Sequence, residues 1–191
     1  MVKLSAGNHK MGKVLNLSLT PGASCAPGVP CFGDCYARKS AKRSKQARAA
    51  WEHNFNLWKS DPREFERSVV EQIEKKQPKF FRWHVAGDIP DAMYLAMMYR
   101  VACRFKRTKF LAFTKRYNLV RELPPANMSI VLSAWPGYEI HNPLNLSVAW
   151  MQDGTEQRVS QGSLECPGGC DECGMCWSLN VIDRDVVFDK H

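Results

Sequence analysis

Apolar and polar residues alternate in two stretches of the chain, which is the pattern of a β-strand with one buried face. The first stretch covers residues 14–19 and the second covers residues 80–86. Three short apolar stretches, at 109–114, 129–134 and 145–150, have the length of buried strands. The pattern therefore predicts five strands within the first 150 residues.

Helical spacing separates most of these strands. Residues 38–59 carry apolar side chains at intervals of three and four, which predicts a helix. Asp61 and Pro62 predict the start of a second helix, because aspartate caps a helix and proline suits its first position. Further helices are predicted at about 90–105 and 117–122.

This order of strands and helices predicts parallel strands joined by right-handed crossovers. A complete eight-stranded barrel needs about 250 residues, whereas this chain has 191. We therefore expect an α/β fold in which residues 1–150 form a partial or open (β/α) barrel and residues 151–191 form a cysteine-rich C-terminal extension.

Polar, glycine and aromatic residues follow the second, third and fourth predicted strands. The carboxyl ends of parallel strands share one edge of the sheet, and that edge carries the ligand site in such folds. A structural role stays open for each residue, since an aspartate after a strand also caps helices and a tryptophan also packs in cores. The candidate cofactor-binding residues are Gly87, Asp88, Thr114, Lys115, Ser133 and Trp135.

Charge and hydropathy narrow the possible partners. The net charge is +8, and lysine and arginine concentrate in the first two thirds of the chain. A basic helix at 38–48 would suit a polyanion such as nucleic acid, and a solvated basic surface is the alternative. No stretch approaches the roughly 20 apolar residues that cross a bilayer, and the first ten residues lack the apolar run of a signal peptide. We expect a cytoplasmic protein without a membrane partner.

Eight cysteines without an export signal indicate metal ligands or reduced thiols, since structural disulfides belong to oxidising compartments. Cys25, Cys31 and Cys35 lie in one loop rich in glycine and proline. An iron–sulfur cluster takes four ligands, so three cysteines would leave one iron open to a small molecule. A zinc site would need a fourth ligand, for which Cys103 or a histidine is available.

A second set of four cysteines occupies eleven residues near the C-terminus. Its spacing is the reverse of the bacterial ferredoxin run, and its compression into one loop favours a cluster over a zinc ribbon, with structural zinc as the alternative. Four protein ligands close such a site, so it would brace the fold or relay electrons from an external donor. The four residues are Cys166, Cys170, Cys173 and Cys176.

Two families share parts of this pattern. The first cysteine loop, with Tyr36 beside its last cysteine, resembles the cluster loop of radical S-adenosylmethionine (radical SAM) enzymes, and Gly87-Asp88 resembles their methionine-binding turn. That resemblance implies a [4Fe–4S] cluster on the three cysteines, with S-adenosylmethionine chelating the fourth iron. Residues 13–37, 81–88 and 110–115 resemble a bacteriophage family called gene product 88-like, which implies a phage origin and a role in the host cytoplasm.

Two hypotheses follow. The first is an iron–sulfur enzyme of radical-SAM-like architecture that cleaves S-adenosylmethionine to a 5′-deoxyadenosyl radical. The second is a non-catalytic phage protein, stabilised by iron–sulfur clusters or zinc, that binds nucleic acid or a host component.

Overall fold

The computed structural model describes residues 1–7, 10–152 and 162–189. Within them, seven strands form one sheet in which all neighbouring strands are parallel, in the order β1-β2-β3-β4-β5-β7-β6. The first five strands lie side by side in chain order, as successive right-handed crossovers require. The predicted α/β fold with a parallel sheet is confirmed. The strands are β1 (Leu15–Leu17), β2 (Phe80–Trp83), β3 (Lys109–Thr114), β4 (Met128–Ser133), β5 (Val148–Gln152), β6 (Leu164–Glu165) and β7 (Val186–Asp189).

Six α-helices and three 3-10 turns connect the described strands. Among these helices, none has both the length and the apolar character that crossing a bilayer demands. The predicted helix at 117–122 is only a 3-10 turn, Tyr117–Leu119. The other 3-10 turns are Pro30–Phe32 and Met175–Ser178, and the helices are α1 (Tyr36–Arg43), α2 (Lys45–Ser60), α3 (Pro62–Lys76), α4 (Ala92–Arg104), α5 (Cys170–Cys173) and α6 (Leu179–Ile182).

The single helix expected at 38–59 is two helices, α1 and α2. Ser44 interrupts it because its backbone is extended, with φ −120° and ψ 101°. The Ser44 side chain accepts a hydrogen bond from the backbone N–H of Ala47 at 3.2 Å, which caps the new helix. Asp61 caps α3 in the same way, by accepting from the N–H of Glu64 at 2.9 Å, as predicted.

One face of the sheet, called here the first face, packs against α2, α3 and α4. An aromatic cluster joins the layers: the ring centroid of Tyr94 lies 4.8 Å from that of Trp58 and 5.6 Å from that of Phe65. Phe81 and Trp83 of β2 reach the same core, and all five rings are buried. This alternation on β2 leaves Phe80 and Arg82 for the opposite face of the sheet.

The opposite face, called here the second face, is covered by residues 10–14 and by the C-terminal segment at 162–182. Met11 and Trp177 are buried there against Leu111 of β3 and Val131 of β4. The indole N–H of Trp177 donates to the carbonyl oxygen of Phe81 at 2.9 Å, and this bond ties the segment to β2.

The C-terminal residues also add two strands that the sequence analysis did not predict. The expected boundary between residues 150 and 151 falls inside β5, and β7 pairs with both β5 and β6. Residues 153–161 of the expected extension lie outside the described part. The described remainder of the extension shares the sheet and its second-face core with the preceding residues.

Asn127 closes the carboxyl end of α4, and its loss should destabilise the fold. Its amide group donates to the carbonyl oxygens of Ala102, Phe105 and Thr108 at 2.9, 3.1 and 2.9 Å. We expect Asn127→Ala to lower the free energy of unfolding by about 2 kcal/mol, because these carbonyls lose their donor. Urea unfolding measures this loss, and Asn118→Ala, a substitution at an exposed position, is the control. A loss no larger than that of Asn118→Ala would contradict it.

Candidate functional site at the carboxyl edge of the sheet

The loop after β1 brings three cysteines to the carboxyl edge of the sheet. Its first turn is fixed by Ser24, whose N–H and hydroxyl both donate to the carbonyl oxygen of Thr20, at 3.1 and 2.9 Å. The loop then passes through the 3-10 turn at Pro30–Phe32 and ends where Cys35 precedes α1. Cys25, Cys31 and Cys35, called here the first cysteine group, are all half-buried.

The three thiols of the first cysteine group influence one another electrostatically. Burial raises the pKa of Cys25 to about 11, the N–H of Gly22 opposes this, and the charges of Asp88, Cys35 and Cys31 raise it further. Burial also raises the pKa of Cys31, which the Lys115 ammonium opposes. The three cysteines therefore act on one another electrostatically in a partly desolvated loop.

Asp88 joins this loop to the ends of β2 and β3. Its carboxylate accepts hydrogen bonds from the N–H of Ile89 at 2.7 Å, the hydroxyl of Thr114 at 2.6 Å and the N–H of Lys115 at 2.9 Å. Its own N–H donates to the hydroxyl of Ser24 at 3.2 Å. Asp88 is buried, and both of its oxygens already serve the fold. In this arrangement Asp88 positions the neighbouring loops.

Gly87 permits the close approach of the two loops. Its φ is +83°, and a Cβ at this position would lie 2.5 Å from the Ser24 hydroxyl oxygen and 2.8 Å from the carbonyl oxygen of Leu19. Any side chain here would push the first cysteine loop away from β2. The structure thus explains the Gly87-Asp88 pair by packing at the edge where the sequence analysis placed a ligand.

The remaining candidate residues lie at the same edge. The Lys115 ammonium stands 5.5 Å from the ring centroid of Trp135, a cation–π contact. Thr114 is buried and also accepts from the N–H of Arg116 at 2.9 Å. The carbonyl oxygen of Ser133 accepts from the hydroxyl of Tyr117. Lys115 is the member of this set whose charge acts on the first cysteine group.

Cys166, Cys170, Cys173 and Cys176, called here the second cysteine group, lie over the second face. All four are half-buried, and Cys166, Cys170 and Cys176 contact the core of that face. Burial raises the pKa of Cys176 to about 12, and the charges of Cys166 and Cys170 add to this. The second cysteine group thus lies over the second face, whereas the first cysteine group follows β1.

Arg82 lies between the two cysteine groups. Its guanidinium carbon is 4.9 Å from the ring centroid of Phe113, and its buried Nε has no hydrogen-bond partner. Burial raises the pKa of Cys170, Cys176 and the Tyr36 hydroxyl, and the charge of Arg82 opposes this rise in all three. Within the described residues, Arg82 takes part in none of the ion pairs.

The ligand geometry of a single metal ion is not present in the part of the chain that the structure describes. No group of three or more His, Cys, Asp or Glu side chains there has the arrangement that could hold one ion. Cys103, the spare ligand considered for zinc, is exposed on α4.

The sequence analysis missed three residues of this region: Ser24, Arg82 and Tyr36 as a hydrogen-bond donor. The Tyr36 hydroxyl donates to the carbonyl oxygen of Val85, which joins α1 to the loop after β2. The alternation on β2 already placed Arg82 opposite Phe81 and Trp83. What it could not show is that cysteines distant in sequence cover that face.

A comparison with protein families identifies the family of the chain. A family model described as gene product 88 matches residues 2–179. The chain belongs to the gene product 88 family. The matched residues include both cysteine groups, and the resemblance to the bacteriophage family is confirmed. No curated protein and no solved structure matches the chain, and the likeness to radical SAM enzymes has no support from these comparisons.

His84 is the most strained residue near the site of this gene product 88 protein. Its φ is +56°, a left-handed conformation that is uncommon for a residue other than glycine. The buried ring contacts the Tyr94 hydroxyl at 3.1 Å through Nε2, while Nδ1 has no partner. Burial, aided by the charge of Arg82, lowers the pKa of His84 to about 3. The folded protein therefore holds a neutral imidazole here.

The neutral His84 should make the fold sensitive to mild acid. Between about pH 6.5 and pH 3 the unfolded chain binds a proton at His84 that the folded chain rejects, so stability falls as the pH falls. Between about pH 7.5 and about pH 5.5, the free energy of unfolding of the wild-type protein should fall by about 1.4 kcal/mol more than that of the His84→Asn variant. Asparagine is chosen because it tolerates the left-handed conformation. Urea unfolding of both proteins at both pH values measures this difference. Equal losses of stability in the two proteins would contradict the assignment of a neutral His84.

Proposed function

We propose that this gene product 88 protein is an iron–sulfur protein that uses an open [4Fe–4S] cluster on the first cysteine group to cleave S-adenosylmethionine. The second cysteine group would hold a closed cluster with four protein ligands. The observation that supports the proposal is that seven half-buried cysteines lie in two short segments, the first of which follows β1 at the carboxyl edge of a parallel sheet. That edge is where parallel α/β folds place their chemistry.

The number of cysteines in the first group favours a cluster over zinc. A structural zinc site needs four protein ligands, and the first group offers three. In a four-iron cluster each thiolate binds a different iron, so three cysteines would leave one iron open.

Arg82 supports a negatively charged group at the second site. A half-buried guanidinium without an anionic partner is costly, and Arg82 has none among the described residues. A cluster ligated by four thiolates carries net negative charge, and Cys170 and Cys176 lie within the electrostatic reach of Arg82. The donor set and the unpaired cation thus fit the same cofactor.

Cys25, Cys31 and Cys35 would hold the open cluster. After one-electron reduction by an external donor, it would supply the electron for cleavage of S-adenosylmethionine into methionine and a 5′-deoxyadenosyl radical. The protein's own residues bind and orient the substrate at this edge. Lys115 offers an ammonium for a carboxylate, and Trp135 beside it offers a ring face for a base. The Asp88 carboxylate accepts a hydrogen bond from the backbone N–H of Lys115 and so holds this backbone in place.

Metal analysis of anaerobically purified protein tests the cluster assignment. Wild-type protein should be brown and contain about eight irons per chain, and the triple variant Cys25→Ala/Cys31→Ala/Cys35→Ala should retain about four. Cys173→Ala removes one ligand of the second cluster. Cys173 is chosen because it is the member of the second cysteine group without a contact in the second-face core. Cys103→Ala, on an exposed cysteine, is the matched control and should keep the full iron content. Zinc in place of iron, or equal iron in all variants, would overturn the assignment.

Release of 5′-deoxyadenosine tests the reaction. After reduction by dithionite with S-adenosylmethionine present, wild-type protein and Cys103→Ala should release the nucleoside, and the triple variant should not. Lys115→Ala should retain its iron while weakening S-adenosylmethionine binding about tenfold, as loss of one charged hydrogen bond predicts. Full iron content without nucleoside release would refute the reaction and leave the iron–sulfur assignment intact.

A further inference from the structure

The amino edge of the sheet, opposite to the edge that carries the first cysteine group, has a separate cleft. Its volume is about 340 Å³, and it opens where α4 leads into β3 and where the chain enters β4. One wall consists of Trp177, Ser178 and Val181 from the C-terminal segment, and the other consists of Lys106, Arg107, Lys109, Ala126 and Asn127.

The cations of this cleft are exposed and have no acidic neighbours in its lining. Lys106, Arg107 and Lys109 take part in none of the ion pairs found among the described residues. The Lys109 ammonium donates to the Ser178 hydroxyl at 2.8 Å, which fixes it across the cleft. Three uncompensated cations around one opening favour an anionic ligand.

The positive charge extends beyond the cleft along the same edge. Lys79 precedes β2 directly, and its carbonyl oxygen accepts from the N–H of Lys109 at 2.9 Å, so the two strand entries are adjacent. Lys75 and Lys76 occupy the last turn of α3, just before this point. Such a row of cations is longer than one phosphate group requires and suits a chain of phosphates.

We propose that this amino-edge cleft binds the phosphodiester backbone of a nucleic acid. The phosphates would lie against Lys106, Arg107 and Lys109, with the row continuing towards Lys79. This site is more suitable than the basic region at 38–48, where Lys39 pairs with Asp34 at 3.4 Å and Arg48 pairs with Glu52 at 3.8 Å. The proposal is independent of the iron–sulfur assignment, because none of the cysteines lines the cleft.

Fluorescence anisotropy with a labelled single-stranded oligonucleotide of about 20 nucleotides tests this site. The triple variant Lys106→Gln/Arg107→Gln/Lys109→Gln should lose about tenfold in affinity at low salt. The slope of log affinity against log salt should become shallower by about 2, since each lost phosphate contact removes about 0.7. Glutamine keeps a donor for Ser178, so the cleft retains its wall.

The matched control removes the same charge elsewhere. Lys42, Arg43 and Lys45 are exposed at the junction of α1 and α2 and lie in the basic region at 38–48. Their triple glutamine variant should bind the oligonucleotide as wild type does. Equal losses in both variants would overturn the proposal, because binding would then follow net charge alone, and so would unchanged binding in the cleft variant.

A competition arm identifies the source of the phosphate. Inorganic pyrophosphate at constant ionic strength should displace the oligonucleotide only weakly, because it occupies part of the row. Displacement at micromolar concentration would overturn the nucleic-acid assignment in favour of a small phosphate ligand. Iron content, measured in the same samples, should be unchanged in the cleft variant, so that a failure here is distinct from a failure of the cluster proposal.

Discussion

The buried carboxylate of Asp88 organises the carboxyl edge of the sheet. Removing a carboxylate from water is costly, and here three donors at 2.6 to 2.9 Å offset the cost. These donors come from the loops after β2 and β3, while Ser24 of the first cysteine loop accepts from the Asp88 N–H. Three segments of the carboxyl edge therefore share one anchor. The positions of Lys115 and of the first cysteine loop follow from it.

The second constraint is the cover of the second face. A parallel sheet is normally buried on both faces, yet α2, α3 and α4 all pack on the first face. The second face must be covered by other residues. Residues 10–14 and the segment at 162–182 cover it. This explains how Cys170 and Cys176 come within the electrostatic reach of Arg82 of β2, about ninety positions earlier in the chain.

Periodicity was sufficient to predict the five strands and the longer helices of the first 150 residues, and with them the edge at which the loops after β1, β2 and β3 lie. It failed where tertiary contacts decide. Ser44 divides α1 from α2 because its side chain caps the second helix, although the apolar spacing runs on past it. β6 has only two residues, which are too few to show an alternation of apolar and polar positions. β7 forms by pairing with the edge of β5. Asp88 was correctly placed, but its partners at Ser24 and Thr114 come from loops whose approach no local pattern encodes.

The two edges of the sheet divide the chemistry of the molecule. The carboxyl edge carries thiols, one ammonium and a buried carboxylate, whereas the amino edge carries unpaired cations around an open cleft. The C-terminal segment connects them, because Cys176 belongs to the second cysteine group and the next two residues, Trp177 and Ser178, form a wall of the cleft. Trp177 is held to β2 through its indole N–H. The second cysteine group and one wall of the cleft therefore share a single short turn, Met175–Ser178, which packs on the second face of the sheet.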